Sequence, residues 1–281
     1  MKCLVLYSHS SGRKEFNKKI PLVKRVLSRR FEVIDFYCPF SAKEARIEAC
    51  GAIGKYDALV VVGGDGTFNN IVNALAPFKD APVLGYLNFG TIGEIGRNFG
   101  IGRNLHKALS IIAEGRVLPF DVGEINGKYF AYVCTIGRYS DIAYLTPRRK
   151  KRIWGRVAYY NAAVAELRNK KTVHATIDAD GGHYELDTPF LLLLNGMNIG
   201  GFFVNRYGRI DDGKMELYLA KPDISNGVLH ILTGKKRIVI SASKFHIKTD
   251  EAMSWCLDGE EGPSGEAEIV CHHNMLRIYG K

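Results

Sequence analysis

The chain has 281 residues, of which 46% are hydrophobic and 24% charged, a balance typical of globular proteins. Its net charge of +10 favours an anionic partner: a nucleotide, nucleic acid or an acidic membrane surface. Its apolar runs are far shorter than the ~20 residues of a membrane-spanning helix, and charges at residues 13–15 interrupt the apolar N-terminal stretch before it could form a signal sequence. The six cysteines lack CxxC spacing and indicate neither a zinc site nor disulfides. We therefore expect a cytosolic protein.

The first part of the chain alternates between β-branched runs and amphipathic stretches. Strands are predicted over 2–7, 32–37, 58–62 and 83–87, and helices over 14–27, 43–53, 68–76 and 105–114. Repeated strand–helix units are typical of an α/β domain with a parallel sheet. The sequence therefore predicts a domain of this kind over residues 1–119.

The remainder of the chain, residues 120–281, reads as mainly antiparallel β. Strands are predicted over 121–125, 129–135, 173–177, 184–194, 215–220, 237–241, 245–249 and 267–270, with helices over 156–168 and 224–233. Asn126-Gly127 is a strong hairpin signal. We expect a second, substrate-binding domain here, whose last residues return to the first domain, and a cleft between the two as the place for chemistry.

The sharpest motif is Gly63-Gly64-Asp65-Gly66-Thr67, which follows the apolar third strand. Glycines let backbone amides approach a ligand closely, and a helix N-terminus attracts phosphate. Asp65 would hold Mg²⁺ bridging to that phosphate. The alternative is an ordinary strand-to-helix turn with Thr67 as the helix N-cap, but three glycines around an acid favour a functional loop.

Two similar loops, residues 88–96 and 8–13, follow the fourth and first strands. The carboxyl ends of neighbouring parallel strands meet at one edge of the sheet, where open α/β sheets bind ligands. None of the three loops fits GxGxxG or GxxxxGK[ST]. The sequence therefore predicts a phosphate site that is neither a standard dinucleotide fold nor a P-loop.

These motifs resemble the diacylglycerol kinase catalytic domain, which bacterial lipid kinases, sphingosine kinases and ceramide kinases share. The first motif alone is also found in NAD kinases, but the ordered set is more specific and covers nearly the whole chain. The matching residues are Gly63 to Thr67, Asn69, Asn73, Leu75, Gly90-Thr91, Leu194-Asn195-Gly196, Gly200-Gly201, Asp212-Gly213 and Asp258-Gly259-Glu260.

The resemblance implies an ATP-dependent kinase that phosphorylates a lipid hydroxyl, with a diacylglycerol-like acceptor. It assigns Asp65 a place close to Mg²⁺, and it places the nucleotide phosphates against Ser11, Gly12, Gly64, Asp65, Gly66, Thr67 and Thr91. Phosphoryl transfer requires neutralised charge, in-line positioning and an acceptor for the hydroxyl proton. Loop amides and Mg²⁺ would supply the first of these.

In the second domain, the resemblance implies that Glu260 is the base and Asp258 a neighbouring metal or network carboxylate. It also implies a structural Mg²⁺ at Asp212, with backbone carbonyls from Arg209 and Lys214. Taken alone, Asp258-Gly259 would indicate only a hairpin turn.

The sequence departs from the family pattern at three places. Ser8-His9-Ser10-Ser11-Gly12 replaces Asn-Pro-x-Ser-Gly, Gly90-Thr91-Ile92-Gly93-Glu94 replaces Gly-Thr-x-Asn-Asp, and Asn70 stands in place of a glutamate. The asparagine lost at position 93 would offer both a donor and an acceptor. Two alternatives therefore stay open: a NAD kinase-type phosphotransferase and a non-catalytic nucleotide or lipid sensor.

A basic run precedes the predicted helix over 156–168. It consists of Arg148, Arg149, Lys150, Lys151 and Arg152, followed by Trp154. Cations beside an interfacial aromatic suit an anionic bilayer surface, although a solvated loop is an equal alternative. No nucleic-acid module accompanies the run. We expect a peripheral, cytoplasmic association with membrane; the oligomeric state stays open, a homodimer included.

Overall fold

The computed structural model of the protein describes residues 1–7, 13–90, 93–137, 172–199, 202–205, 208–220, 237–250 and 253–281. The chain divides into two compact units. One consists of Met1–Phe120 together with Asn274–Lys281, and the other of Asp121–His273. Across these described ranges, every helix is too short or too polar to cross a lipid bilayer.

The first unit is built on a sheet of parallel strands, which confirms the predicted α/β class. Its strands are β1 (Lys2–Tyr7), β2 (Val33–Tyr37), β3 (Ala58–Gly63) and β4 (Val83–Asn88), paired in the order β2-β1-β3-β4. Its helices are α1 (Arg13–Asn17), α2 (Ile20–Leu27), α3 (Ala42–Gly51), α4 (Asp65–Leu75), α5 (Glu94–Asn98) and α6 (Leu105–Glu114).

Two helix predictions in this unit are wrong in their bounds. The single helix expected over 14–27 is two helices, because Pro21 lies in the first turn of α2 and has no N–H to continue a helix from α1. α4 begins at Asp65, three residues before the predicted start, so Asp65, Gly66 and Thr67 form its first turn. The short α5 was not predicted.

The tightly packed core of the first unit fixes β3 and β4 and therefore the loops that follow these two strands. All six residues of β3 are buried, and α4 covers the sheet with Phe68, Ile71, Val72 and Leu75. α6 packs so closely that a Cβ on Gly85 would lie 3.1 Å from the Cδ1 atom of Ile112. The last residues of β3 and β4, Gly63 and Asn88, are register partners, so the loops that follow them start side by side.

The second unit is mainly antiparallel, as predicted. Its first six strands are β5 (Val117–Ile125, which begins in the first unit), β6 (Lys128–Phe130), β7 (Val133–Gly137), β8 (Val173–Ala179), β9 (Gly182–Thr188) and β10 (Phe190–Leu194). The others are β11 (Asn198–Ile199), β12 (Phe202–Phe203), β13 (Met215–Ala220), β14 (Arg237–Ala242), β15 (Lys244–Thr249), β16 (Ser254–Leu257), β17 (Glu260–Ser264) and β18 (Ala267–Tyr279).

Two groups of antiparallel strands enclose the core of this unit. One runs β14-β13-β10-β7-β16-β17, and the other runs β18-β15-β8-β9. One continuous apolar cluster takes Leu191 and Leu217 from the first group and Ile177, Ile247 and Ile269 from the second. The last residues of β18 belong to the first unit, where Ile278 pairs in parallel with Leu84 of β4.

Several predictions in the second unit can be checked directly. The Asn126-Gly127 hairpin is confirmed, because Ile125 pairs with Lys128 and both turn residues have positive φ. The strand expected over 184–194 is wrong: it is two strands, β9 and β10, which lie in different groups on either side of Pro189. β16 and β17 were predicted only as a turn motif. The helices expected over 156–168 and 224–233 lie outside the described residues.

Candidate functional site

The first glycine motif joins β3 to α4 with almost no intervening loop. The N-cap residue of α4 is Gly64, whose backbone is extended and which has no side chain to cap the helix, so the alternative interpretation with Thr67 as the N-cap is wrong. A Cβ on Gly63 would lie 2.7 Å from the Cβ of Thr67, so only glycine fits there. The first turn of α4 leaves N–H groups without intrahelical acceptors. These amides and the helix dipole suit a phosphate group.

Asp65 fastens the second loop to this helix. Its carboxylate accepts the backbone N–H groups of Gly93 (2.9 Å), Glu94 (3.2 Å) and Ile95 (3.2 Å). Burial raises the pKa of Asp65, and the three amides act in the opposite direction. Asp65 therefore caps the start of α5 from a position 28 to 30 residues earlier in the chain.

The two loops also touch through their backbones. A Cβ on Gly90 would lie 2.5 Å from the Cα of Gly64, a separation that real side chains do not show. The sequence-predicted residues Gly64, Asp65, Gly66 and Thr67 are therefore brought together with the second loop at the carboxyl edge of β3 and β4. Ser11, Gly12 and Thr91, also predicted to contact phosphates, lie outside the described residues.

Asn70, one of the departures from the family pattern, bonds to the start of a neighbouring helix. Its Nδ2 donates to the carbonyl oxygen of Ala42, the first residue of α3, at 2.9 Å. In this chain Asn70 therefore links α4 to α3.

In the second unit, Asp258 has a role that resembles that of Asp65. Its carboxylate is 5% exposed and accepts the N–H groups of Ala131 (2.6 Å), Tyr132 (3.0 Å) and Val133 (2.9 Å). Asp258 and Gly259 both have positive φ and form the two-residue turn between β16 and β17. The hairpin turn that Asp258-Gly259 indicates is therefore present, and the carboxylate anchors it to the chain between β6 and β7.

Glu260 is the first residue of β17 and pairs with Leu257 across that turn. Unlike Asp258, its side chain is exposed. An exposed carboxylate held on a strand is accessible to a substrate, and a carboxylate in reach of a hydroxyl group can act as its general base.

The region around Asp212 is rich in oxygen atoms. Asp212 is exposed, and its Oδ1 accepts a hydrogen bond from the N–H of Lys214 at 3.1 Å. The N–H of Gly213 donates to Oδ2 of Asp121, which is fully buried, at 2.6 Å. The guanidinium group of Arg209 pairs with Asp211 at 3.0 Å, which leaves its backbone carbonyl as the group relevant to a metal.

The fit of this region to Mg²⁺ can be tested on the residues present. Burial raises the pKa of Glu216, and the neighbouring Asp212 carboxylate adds to the increase, which is the environment that a cation would relieve. In the part of the chain that the structure describes, no three His, Cys, Asp or Glu side chains converge to hold a metal. A cation here would therefore need backbone carbonyls and water beside the carboxylates, a set that suits Mg²⁺.

Sequence reasoning predicted no role for two residues of this region, Asn195 and Asp121. Asn195 is 2% exposed, and its Nδ2 donates to the carbonyl oxygens of Asp121 (2.6 Å) and Ala131 (3.0 Å). Asn195 was identified as part of a motif, but nothing local gave its role. Asp121 could have been noticed as the one acid in the apolar run Phe120-Asp121-Val122.

Comparisons with known proteins agree with the sequence motifs. Residues 2–125 match the model of the diacylglycerol kinase catalytic domain. The chain is 28% identical to a diacylglycerol kinase of Bacillus subtilis, across 98% of this chain and 94% of that protein. It is 27% identical to a diacylglycerol kinase of Staphylococcus carnosus, with the same coverage.

A solved structure shows the same fold. The crystal structure of a diacylglycerol kinase from Bacillus anthracis superposes with a TM-score of 0.86 at 23% identity, covering 100% of this chain and 97% of that one. The resemblance to the diacylglycerol kinase catalytic-domain family is thus confirmed, with the catalytic-domain match in residues 2–125 and relatives that align along nearly the whole chain.

Proposed function

We propose that the protein is an ATP-dependent lipid kinase that transfers the γ-phosphate to a hydroxyl group of a diacylglycerol-like lipid. The observation that carries the proposal is the pair of loops interlocked by Asp65 at the N-terminus of α4. It is supported by relatives described as diacylglycerol kinases along 98% of the chain.

The residues of the chain divide the work of phosphoryl transfer. The amides at the start of α4, with the dipole of that helix, neutralise phosphate charge, and Asp65 keeps the second loop in place beside them. Glu260 accepts the proton of the lipid hydroxyl. Asp258 holds the turn that carries Glu260, and it is a positioning residue because both its oxygens are bound by amides.

Magnesium enters this proposal at two places. Mg²⁺ bound with ATP would neutralise charge on the β- and γ-phosphates, and Asp65, the acid of the first glycine motif, would lie close to it. In the second unit, Asp212 and the carbonyl groups of Arg209 and Lys214 would hold a structural ion, assisted by Asp121 and Glu216.

The direct test offers labelled ATP and Mg²⁺ with vesicles that contain diacylglycerol, a sphingoid base or phosphatidylglycerol, and separately with NAD. We expect label in the diacylglycerol product. Glu260→Gln should abolish transfer while ATP still binds. Glu261→Gln is the matched control, since Glu261 is the next residue of β17 and is also exposed.

Other outcomes of this test would favour the other functions. Label on NAD would favour a NAD kinase-type activity. Tight binding of ATP with no labelled lipid on the whole panel would favour a nucleotide or lipid sensor. A Glu260→Gln variant with full activity would refute the assignment of the base.

We further propose that the basic run, residues 148–152 with Trp154, docks the protein on an anionic membrane surface at the cytoplasmic face. These residues lie outside the described part of the chain, so their charge and composition carry the proposal. Neutralising the run should reduce activity on anionic vesicles by more than activity on a soluble short-chain diacylglycerol. Equal loss on both substrates would contradict it.

A further inference from the structure

The last residue of β4, Asn88, shapes the start of the second loop. Its Oδ1 accepts the backbone N–H of Gly90 at 2.8 Å, which closes an Asx-turn. The hydroxyl group of Tyr86 lies 3.4 Å from this oxygen and 3.4 Å from Oδ1 of Asp65. Tyr86 therefore links Asn88 to Asp65, whose carboxylate binds the other end of the second loop.

The other half of the Asn88 amide lies where a side chain of residue 93 would begin. A Cβ on Gly93 would be 1.7 Å from Nδ2 of Asn88 and 2.8 Å from its Cγ. Nδ2 is buried and has no hydrogen-bond partner in the described part of the chain, so packing against Gly93 places it there. With Asn88 in this position, residue 93 has room for glycine alone.

The sequence departs from its family at this same point. The family pattern Gly-Thr-x-Asn-Asp has an asparagine where this chain has Gly93. The backbone of Gly93 is left-handed, with φ 69° and ψ 44°, a conformation that asparagine tolerates. The backbone would therefore accept the family's residue, and the obstacle is the Asn88 side chain.

We propose that Asn88 is a positioning residue of the nucleotide loop and that Asn88 and Gly93 form a coupled pair. The Asn88 amide occupies the place where a side chain at position 93 would begin, so the Asn88 side chain requires glycine at position 93. The effect on the nucleotide rests on the proposed function, whereas the effect on the loop does not.

The test is a double-mutant cycle with two readouts: hydrogen exchange at the amides of residue 90 and residues 93–95, and KM for ATP. Because the new side chain must displace the Asn88 amide, Gly93→Asn should raise both by about tenfold. Asn88→Ala alone should raise exchange chiefly at Gly90. The double variant Asn88→Ala/Gly93→Asn should return KM and the exchange at residues 93–95 to within about threefold of the parent, while Gly90 keeps the faster exchange of Asn88→Ala.

A matched control separates crowding from the change of residue type. Gly54 has φ +71°, and nothing lies within 4 Å of a Cβ placed there, so Gly54→Asn makes the same substitution in open space. We expect it to leave both readouts unchanged. A Gly93→Asn variant that behaves like Gly54→Asn, or a double variant that loses more than either single one, would overturn the proposal. A parent that uses no ATP would refute the proposed function, and the exchange data would still decide the role of Asn88.

Discussion

Replacing Asp258 tests whether this motif residue supports the fold or takes part in the chemistry. Its two oxygens bind the N–H groups of Ala131, Tyr132 and Val133, which lie 127, 126 and 125 residues away along the chain. Ala131 and Val133 are buried. Removing the carboxylate leaves these donors unpaired where water has little access.

The structure sets the size of the effect. Asp258→Gly keeps the positive φ of +50° accessible and removes all three hydrogen bonds. At the lower end of about 1.5 kcal/mol for each of the three bonds to a charged group, the free energy of unfolding should fall by about 4.5 kcal/mol. Asp258→Asn keeps one carbonyl oxygen, which can serve Tyr132 and Val133, and turns an amino group towards the N–H of Ala131. This variant should lose about 2 kcal/mol.

The assay is urea unfolding followed by tryptophan fluorescence, to which the fully buried Trp255 of the neighbouring β16 contributes. Glu260→Gln, at the exposed end of the same turn, is the control and should change stability by less than about 0.5 kcal/mol. If Asp258→Gly unfolds within about 1 kcal/mol of the parent and yet has no activity, then Asp258 acts in the chemistry and the structural interpretation fails.

Two further predictions concern the glycine loops and strand β8. Gly90→Ala should lower the free energy of unfolding in urea by about 1–3 kcal/mol, because its Cβ would lie 2.5 Å from the backbone of Gly64. Gly64→Ala is the control, since its Cβ would make only an ordinary 3.4 Å contact. Equal losses of stability in the two variants would contradict this reasoning. Hydrogen bonds, first to Asp187 and then to Glu185, raise the pKa of His174, so its contribution to stability is present below pH 6.5 and is lost as the pH rises through the raised value. His174→Gln should therefore lower stability at pH 6 and leave it unchanged at pH 9, and a loss independent of pH would exclude this linkage.

The sequence was most informative where structure is local. Strand and helix alternate by periodicity, and the Asn126-Gly127 hairpin follows from two residues with positive φ. Pro21 and Pro189 could also have been used to divide the elements they interrupt, since proline lacks the N–H that a helix or a sheet requires. These features need no knowledge of distant residues.

The hydrogen-bond partners of the acids in the motifs were decided only by tertiary structure. Asp65 was expected close to Mg²⁺, and Asp258 was expected as a metal or network carboxylate. In the fold, each carboxylate binds three backbone amides from a remote segment. A carboxylate in a motif looks the same whether its partner is a cation or a set of N–H groups, and those N–H groups belong to residues 28 to 127 positions away.

Composition, motif order and spacing by themselves determined the class of fold and the family resemblance of this protein. The net charge of +10, by contrast, identifies no partner, because composition does not record where the charged side chains lie relative to one another. Only the folded chain showed which glycines are required by a close neighbour, as Gly90 and Gly93 are, and which, like Gly54, stand in open space. The reason is physical: a missing Cβ matters through the atoms packed against it, and those atoms are brought there by the fold.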